Sequence, residues 1–166
     1  MASYLGLQEL VVTSTTGSQT EKKADKAKSG AVEVKTASKP PSSDEEGLYD
    51  KAFQLFRGGK FEAARAEFSS YLERYPKTDL ADNAQFWLGE CYYSEKSYRQ
   101  AIAAYEKTIK DYPKSDKVSS ALLKQGMAFL ELGDKTAGKI LLKKVVKGYP
   151  NSNQAKIARN KLARIK

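Results

Sequence analysis

The sequence predicts an all-α solenoid: three helical hairpins stacked side by side and closed by one C-terminal capping helix. Two observations lead there. Tyr75-Pro76, Tyr112-Pro113 and Tyr149-Pro150 recur at intervals of 37 residues, and five further columns keep the same register. These are Phe61 with Tyr98, Ala64 with Ala101 and Gly138, Phe68 with Tyr105 and Leu142, Ala52 with Gly89 and Gly126, and Leu55 with Tyr92 and Phe129. Six columns in register define an internal repeat. The second observation is an abrupt change of character at residue 47, where a polar stretch gives way to apolar residues at helical spacing.

The elements follow in order. In residues 1–12, Tyr4, Leu7 and Val11 lie three and four apart, as on a helical seam. About one heptad is too short to hold a helix alone, so this stretch is expected to be the remnant of an oligomerisation helix. It has neither a preceding basic flank nor a small-residue cleavage site, and is not expected to be an export signal. Residues 13–46 contain no aromatic residue, Leu or Ile. They cannot bury enough apolar area to offset their ordering entropy and are expected to form a flexible linker. The repeat domain is assigned to residues 47–166.

Within it, the middle hairpin is predicted as one helix over 80–95 and a second over 97–111, stopping before Pro113. Thr78-Asp79, Ser115-Asp116 and Asn151-Ser152-Asn153 follow the prolines and are expected to cap the next helix. Gly58-Gly59 and Gly133 mark the turns inside the hairpins, where a positive φ is easiest for glycine. The small column Ala52, Gly89, Gly126 is expected at close helix crossings. Residues 153–165 place Ala155, Ala158, Leu162 and Ile165 at helical spacing and read as the cap on the last hairpin.

Composition narrows the chemistry. The chain has no histidine, so histidine-based nucleophile pairs, general bases and metal ligands are unavailable. Its one cysteine, Cys91, makes no intramolecular disulfide and is expected to pack as a small apolar residue. Gly58-Gly59-Lys60 lacks the spacing of a phosphate loop. No enzyme activity, metal or cofactor is expected. No apolar run is long enough to span a bilayer, so an integral membrane protein is not expected. The net charge of +9 sits in the last third: residues 117–166 hold twelve basic and two acidic side chains. Lys139, Lys143 and Lys147, with Lys144 beside them, form a basic stripe suited to an acidic partner surface. Nucleic-acid binding is not the leading expectation, because exposed aromatics interleaved with the basic residues are missing there.

The tetratricopeptide pattern asks for W-x2-L-G-x2-Y, then Ala, an aromatic and Pro. The middle unit supplies Leu88, Gly89, Tyr92, Ala101, Tyr105 and Pro113, with Gln85 at the tryptophan position. The third supplies Gly126, Phe129, Leu142 and Pro150, and the first Ala52, Leu55, Ala64, Phe68 and Pro76. The interval of 37 exceeds the usual repeat of about 34 residues, which puts about three extra residues in each inter-repeat loop. Within this superfamily, NAQFWLGECYY, the recurring YPKT/YPKS/YPNS and ALLKQGMAFLELGD resemble the C-terminal domain of the YbgF/CpoB family of Tol–Pal-associated periplasmic proteins. The resemblance implies a periplasmic adaptor that binds TolA and links the Tol–Pal envelope machinery to septal peptidoglycan synthesis in cell division. A peptidoglycan synthase is implied as a further partner, and a homotrimer wherever an N-terminal coiled coil is present.

Stacked hairpins build a superhelix whose concave wall comes from the first helix of each pair. Register places Tyr49, Phe53 and Phe56 on that wall in the first unit, Phe86, Glu90 and Tyr93 in the second, and Leu123, Met127 and Leu130 in the third. Asn83 and Arg57 are expected at the rim, and Trp87 at either core or rim. The expected groove is apolar and aromatic with few charges. The same residue types pack between adjacent repeats, so groove and core readings both stand for each residue. Two other functions stay open: a scaffold subunit of another envelope complex, such as an outer-membrane assembly lipoprotein, and a polyanion or nucleic-acid binder using the basic C-terminal third.

Overall fold

The computed structural model describes residues 42–165. Among them are seven helices and no strand: α1 (Ser43–Arg57), α2 (Phe61–Arg74), α3 (Ala81–Ser94), α4 (Tyr98–Asp111), α5 (Lys117–Glu131), α6 (Lys135–Gly148) and α7 (Asn153–Arg164). α1/α2, α3/α4 and α5/α6 are the three predicted hairpins, and each helix packs on the next in chain order. α7 packs on α6 and touches α5, as the first helix of a further hairpin would. The expectations for residues 1–12 and 13–41 lie outside the described residues.

The domain begins earlier than residue 47. Ser42 caps α1 in a capping box, its hydroxyl accepting from Glu45 N at 3.3 Å while Glu45 Oε2 accepts from Ser42 N at 3.4 Å. Asp44, Glu45 and Glu46 then place negative charge against the helix's positive end. Polar composition assigned these residues to the linker, but their spacing is that of a helix start.

Three of the six register columns become the core, while those of Leu55, Phe61 and Tyr75 stay half-buried. Ala64, Ala101 and Gly138 are buried, as are Phe68, Tyr105 and Leu142. A column not singled out from sequence, Tyr71, Thr108 and Val145, is fully buried one turn later. The close crossings are real. A Cβ on Gly89 would meet Tyr105 Cε1 at 2.5 Å, and one on Gly126 would meet Leu141 Cβ at 3.2 Å. Gln85, at the usual tryptophan position, is buried and donates to the Ala104 carbonyl at 3.1 Å, bonding α3 to α4.

The hairpin turns share one conformation. Gly59 and Gly133 have φ of +73° and +83°, and Lys96, at the same register position, takes +59°. Gly58, also expected there at positive φ, has φ −79°. Capping is as expected at α7, where Ser152 accepts from Ala155 N at 3.0 Å. At α5 the N-cap residue Asp116 makes no side-chain cap, but the hydroxyl of Ser115 before it accepts from Lys117 N at 2.9 Å. Thr78 departs from the expectation, since α3 has no side-chain cap. Its hydroxyl instead sits 2.8 Å from Tyr71 Oη, and Tyr71 donates to the buried Glu45 carboxylate at 2.5 Å. The equivalent pair one repeat later is Ser115 donating to Asp82 at 2.5 Å. These staples tie the starts of α1 and α3 to the loops before α3 and α5.

Candidate protein-binding groove

The first helices α1, α3, α5 and α7 lie side by side and form the inner wall of the stack. Sequence-predicted residues separate into three sets along it. Tyr49, Phe53 and Phe56 on α1 are half-buried. Tyr49 sits edge-on to Phe68 and Tyr71, both at 5.8 Å, and stacks on Phe53 at 6.3 Å. Phe53 and Phe56 lie 4.9 and 5.0 Å from the Trp87 ring, which is itself half-buried. The result is a continuous aromatic surface across α1 and α3, with Trp87 as the bridge.

A second set belongs to the interior. Phe86 is only 8% exposed and packs 5.9 Å from Tyr105, and Leu123 is 5% exposed within the α5–α7 core. Leu130 is half-buried against that core and presses on α6, where Gly138 leaves it room. For these three, packing between helices is the main role. Met127 stays half-buried at the surface of the α5–α7 cluster.

The third set is polar. Glu90 accepts from Tyr105 Oη and from Lys124 Nζ, both at 2.5 Å. Lys124 Nζ also lies 5.1 Å above the Tyr93 ring, a cation–π contact. Burial, followed by the negative field of Glu131, pushes the Tyr93 hydroxyl up to about 12. The middle of the groove is therefore an ion pair on an aromatic base, in a wall expected to be apolar and aromatic with few charges. Lys124 was missed because its register partner Trp87 was left unassigned; the offset of 37 connects them. Asn83 is half-buried and donates to Asp82 at 3.1 Å. Arg57 is exposed at the end of α1.

Other expected features take separate places. Lys143, Lys144 and Lys147 are exposed and Lys139 half-buried on α6, a second helix of its hairpin, so the basic stripe lies on the outer wall. Ile140 within it is 62% exposed. Cys91 is fully buried, and burial pushes its thiol up to about 12, which keeps it protonated and inert. A hollow of about 360 Å³ lies between α2, α3 and α4 and is lined by Leu72, Glu73, Gln85, Leu88, Lys107 and Tyr112. Among the described residues no group of three His, Cys, Asp or Glu side chains is placed to hold a metal. No described helix is long and apolar enough to cross a membrane.

A profile of the family described as YfiO, outer membrane lipoprotein, matches residues 41–166. The cell division coordinator CpoB of Pseudomonas putida is 42% identical over 55 residues, which is 32% of this chain and 20% of that protein. The chain thus spans about a fifth of the curated relative it matches. Among solved structures, the type III secretion translocator chaperone SycD of Yersinia enterocolitica superposes with a TM-score of 0.64 at 21% identity, covering 75% of this chain and 92% of that one. The same chaperone in complex with a peptide of the translocator YopD gives 0.63 at 20% identity, covering 74% and 88%. The second tetratricopeptide domain of human RPAP3 with an HSP70 peptide gives 0.58 at 19%, covering 71% and 93%. The fold is a tetratricopeptide solenoid, and its repeats are similar to those of CpoB.

Proposed function

Since the chain belongs to the YfiO outer membrane lipoprotein family, we propose that it is a non-catalytic adaptor of the cell envelope that holds a segment of a partner protein in its inner groove. The observation that carries this reading is the half-exposed aromatic surface of Tyr49, Phe53, Phe56 and Trp87. Rigid aromatic side chains on a stacked scaffold bury a partner's apolar groups with little loss of entropy, and such anchors dominate binding energy. Peptides bound by the similar SycD and RPAP3 domains support the same use of the fold.

The partner in this reading is TolA, met in the periplasm, and the task is to link Tol–Pal function to septal peptidoglycan synthesis. Support comes from the similarity to CpoB, a cell division coordinator by name. The family profile favours a second reading, a scaffold subunit of an outer-membrane assembly complex. Calorimetric titration of the full chain with TolA separates them. Binding by TolA, weakened by about 1–3 kcal/mol in Phe53→Ala with the helical melt retained, supports the first. No heat with TolA, together with co-purification of outer-membrane assembly proteins from an envelope extract, supports the second. Wild-type TolA affinity in a folded Phe53→Ala, Trp87→Ala double variant removes the groove from the mechanism.

A further inference from the structure

Resting on that groove reading, we infer that the groove is electrically polarised along the stack. It selects a partner segment carrying apolar or aromatic side chains at one end and carboxylates at the other. The inference follows from α7. Its buried Ala155 and Ala158 occupy the columns of Ala81 and Val118, and of Ala84 and Ala121, on α3 and α5, all of them buried. Gln154 donates to Ser120 on α5 at 2.9 Å, fixing the register of α7 against the groove wall. The column that reads Asp50 on α1 and Trp87 on α3 therefore continues through Lys124 on α5 to Lys161 on α7. The next groove column runs Phe53, Glu90, Met127, Arg164.

Charge along the wall thus changes sign. Asp50 and Glu46 are exposed beside the aromatic surface at the α1 end. Glu90 and Lys124 neutralise one another at mid-groove. Lys161 is half-buried and Arg164 exposed at the α7 end, and among the described residues no carboxylate pairs with either. Exposed Ile157 lies one turn before Lys161 on the same helix. At the C-terminal margin the order reverses, with Arg57 on α1 and Glu131 on α5, so the polarity belongs to the middle of the wall. A carboxylate-bearing segment is attracted at the α7 end and repelled at the α1 end, which fixes its orientation as well as its composition.

Two labelled synthetic peptides test this by fluorescence anisotropy on the full chain. Peptide A joins a Leu/Phe-rich half to a Glu-rich half and is made in both orders; peptide B replaces every Glu with Lys. Peptide A, in one of its orders, is expected to bind about 10-fold tighter than B, the size of one well-placed charge effect. Lys161→Glu with Arg164→Glu is expected to abolish or invert that ratio while circular dichroism stays unchanged. Phe53→Ala is expected to weaken both peptides. Equal binding of A and B that still falls in Phe53→Ala overturns the polarity and leaves the groove standing. Binding of A that ignores Phe53→Ala, or no binding of either peptide, overturns both. A preference that survives the α7 reversal but disappears in Lys143→Gln, Lys147→Gln assigns it to the outer stripe and overturns the inference. Self-association of the chain that peptide A disperses, seen by sedimentation, gives the groove to a second copy and equally overturns it.

Discussion

Adding one methyl group at three helical glycines should give three different outcomes, because the space around them differs while the helix does not. Gly47 on α1 is exposed, with nothing within 4 Å of an added Cβ. Gly47→Ala should stabilise by about 1 kcal/mol, the helix-propensity difference. At Gly126 the added atom would meet Leu141 Cβ at 3.2 Å and the Gly138 carbonyl at 3.4 Å. A neighbour must yield by a few tenths of an ångström, which cancels much of the propensity gain. At Gly89 it would lie 2.5 and 2.7 Å from Tyr105 Cε1 and Cδ1. That ring is fully buried and anchored through its hydroxyl to Glu90, so it has no free path away. Overpacking there costs about 1–3 kcal/mol, more than the propensity gain of about 1, and Gly89→Leu should cost more still. With about 4 °C per kcal/mol for a domain of this size, thermal melts followed by circular dichroism should rank Gly47→Ala above Gly126→Ala above Gly89→Ala. A Gly89→Ala protein melting at or above Gly47→Ala would refute the close crossing of α3 and α4.

Buried and surface aromatics should part company: Phe86→Ala should lose about 3–5 kcal/mol of stability, while Phe53→Ala should lose far less stability and mainly affinity, read by melts beside calorimetric titration. Lys96→Gly should raise the melting temperature, relieving about 1 kcal/mol of left-handed strain; an unchanged melt would show that the φ of +59° is not retained in solution. Burial pushes the Glu45 carboxyl up, but hydrogen bonds from Thr78, Tyr71 and Ser42 outweigh it and hold its pKa below 4.5. A carboxyl lowered by folding stabilises fully above its unfolded pKa and loses that contribution as pH falls through the folded one. Urea midpoints should therefore fall below about pH 4.5, less steeply in Glu45→Gln. Replacing Lys139, Lys143, Lys144 and Lys147 with Gln should slow association with an acidic partner and flatten its salt dependence in stopped-flow traces; equal on-rates at low and high salt would make the stripe a solvated face.

The candidate site was legible column by column but not in depth. An interval of 37 names which residues are equivalent, Tyr49, Phe86 and Leu123 among them. Equivalence does not fix exposure. Tyr49 on α1 stays half-buried, whereas Phe86 on α3 and Leu123 on α5, each on a helix packed between the one before and the one after, are buried. Trp87 is a single large ring on a wall of smaller ones, and only its distances to Phe53 and Phe56 reveal it as the bridge between two helices.

By itself the sequence determined the fold class, the number of hairpins and which residues are equivalent from one repeat to the next. Each of these follows from local periodicity repeated at a fixed interval, and repetition makes a local pattern a global one. Only the tertiary structure decided the side-chain pairings across helices: Glu45 with Tyr71, Tyr71 with Thr78, and Glu90 with Tyr105 and Lys124. The physical reason is that a hydrogen bond or ion pair depends on two side chains converging to within about 3 Å. Periodicity fixes the direction in which each side chain leaves its own helix, and the packing of one hairpin on the next fixes what it meets.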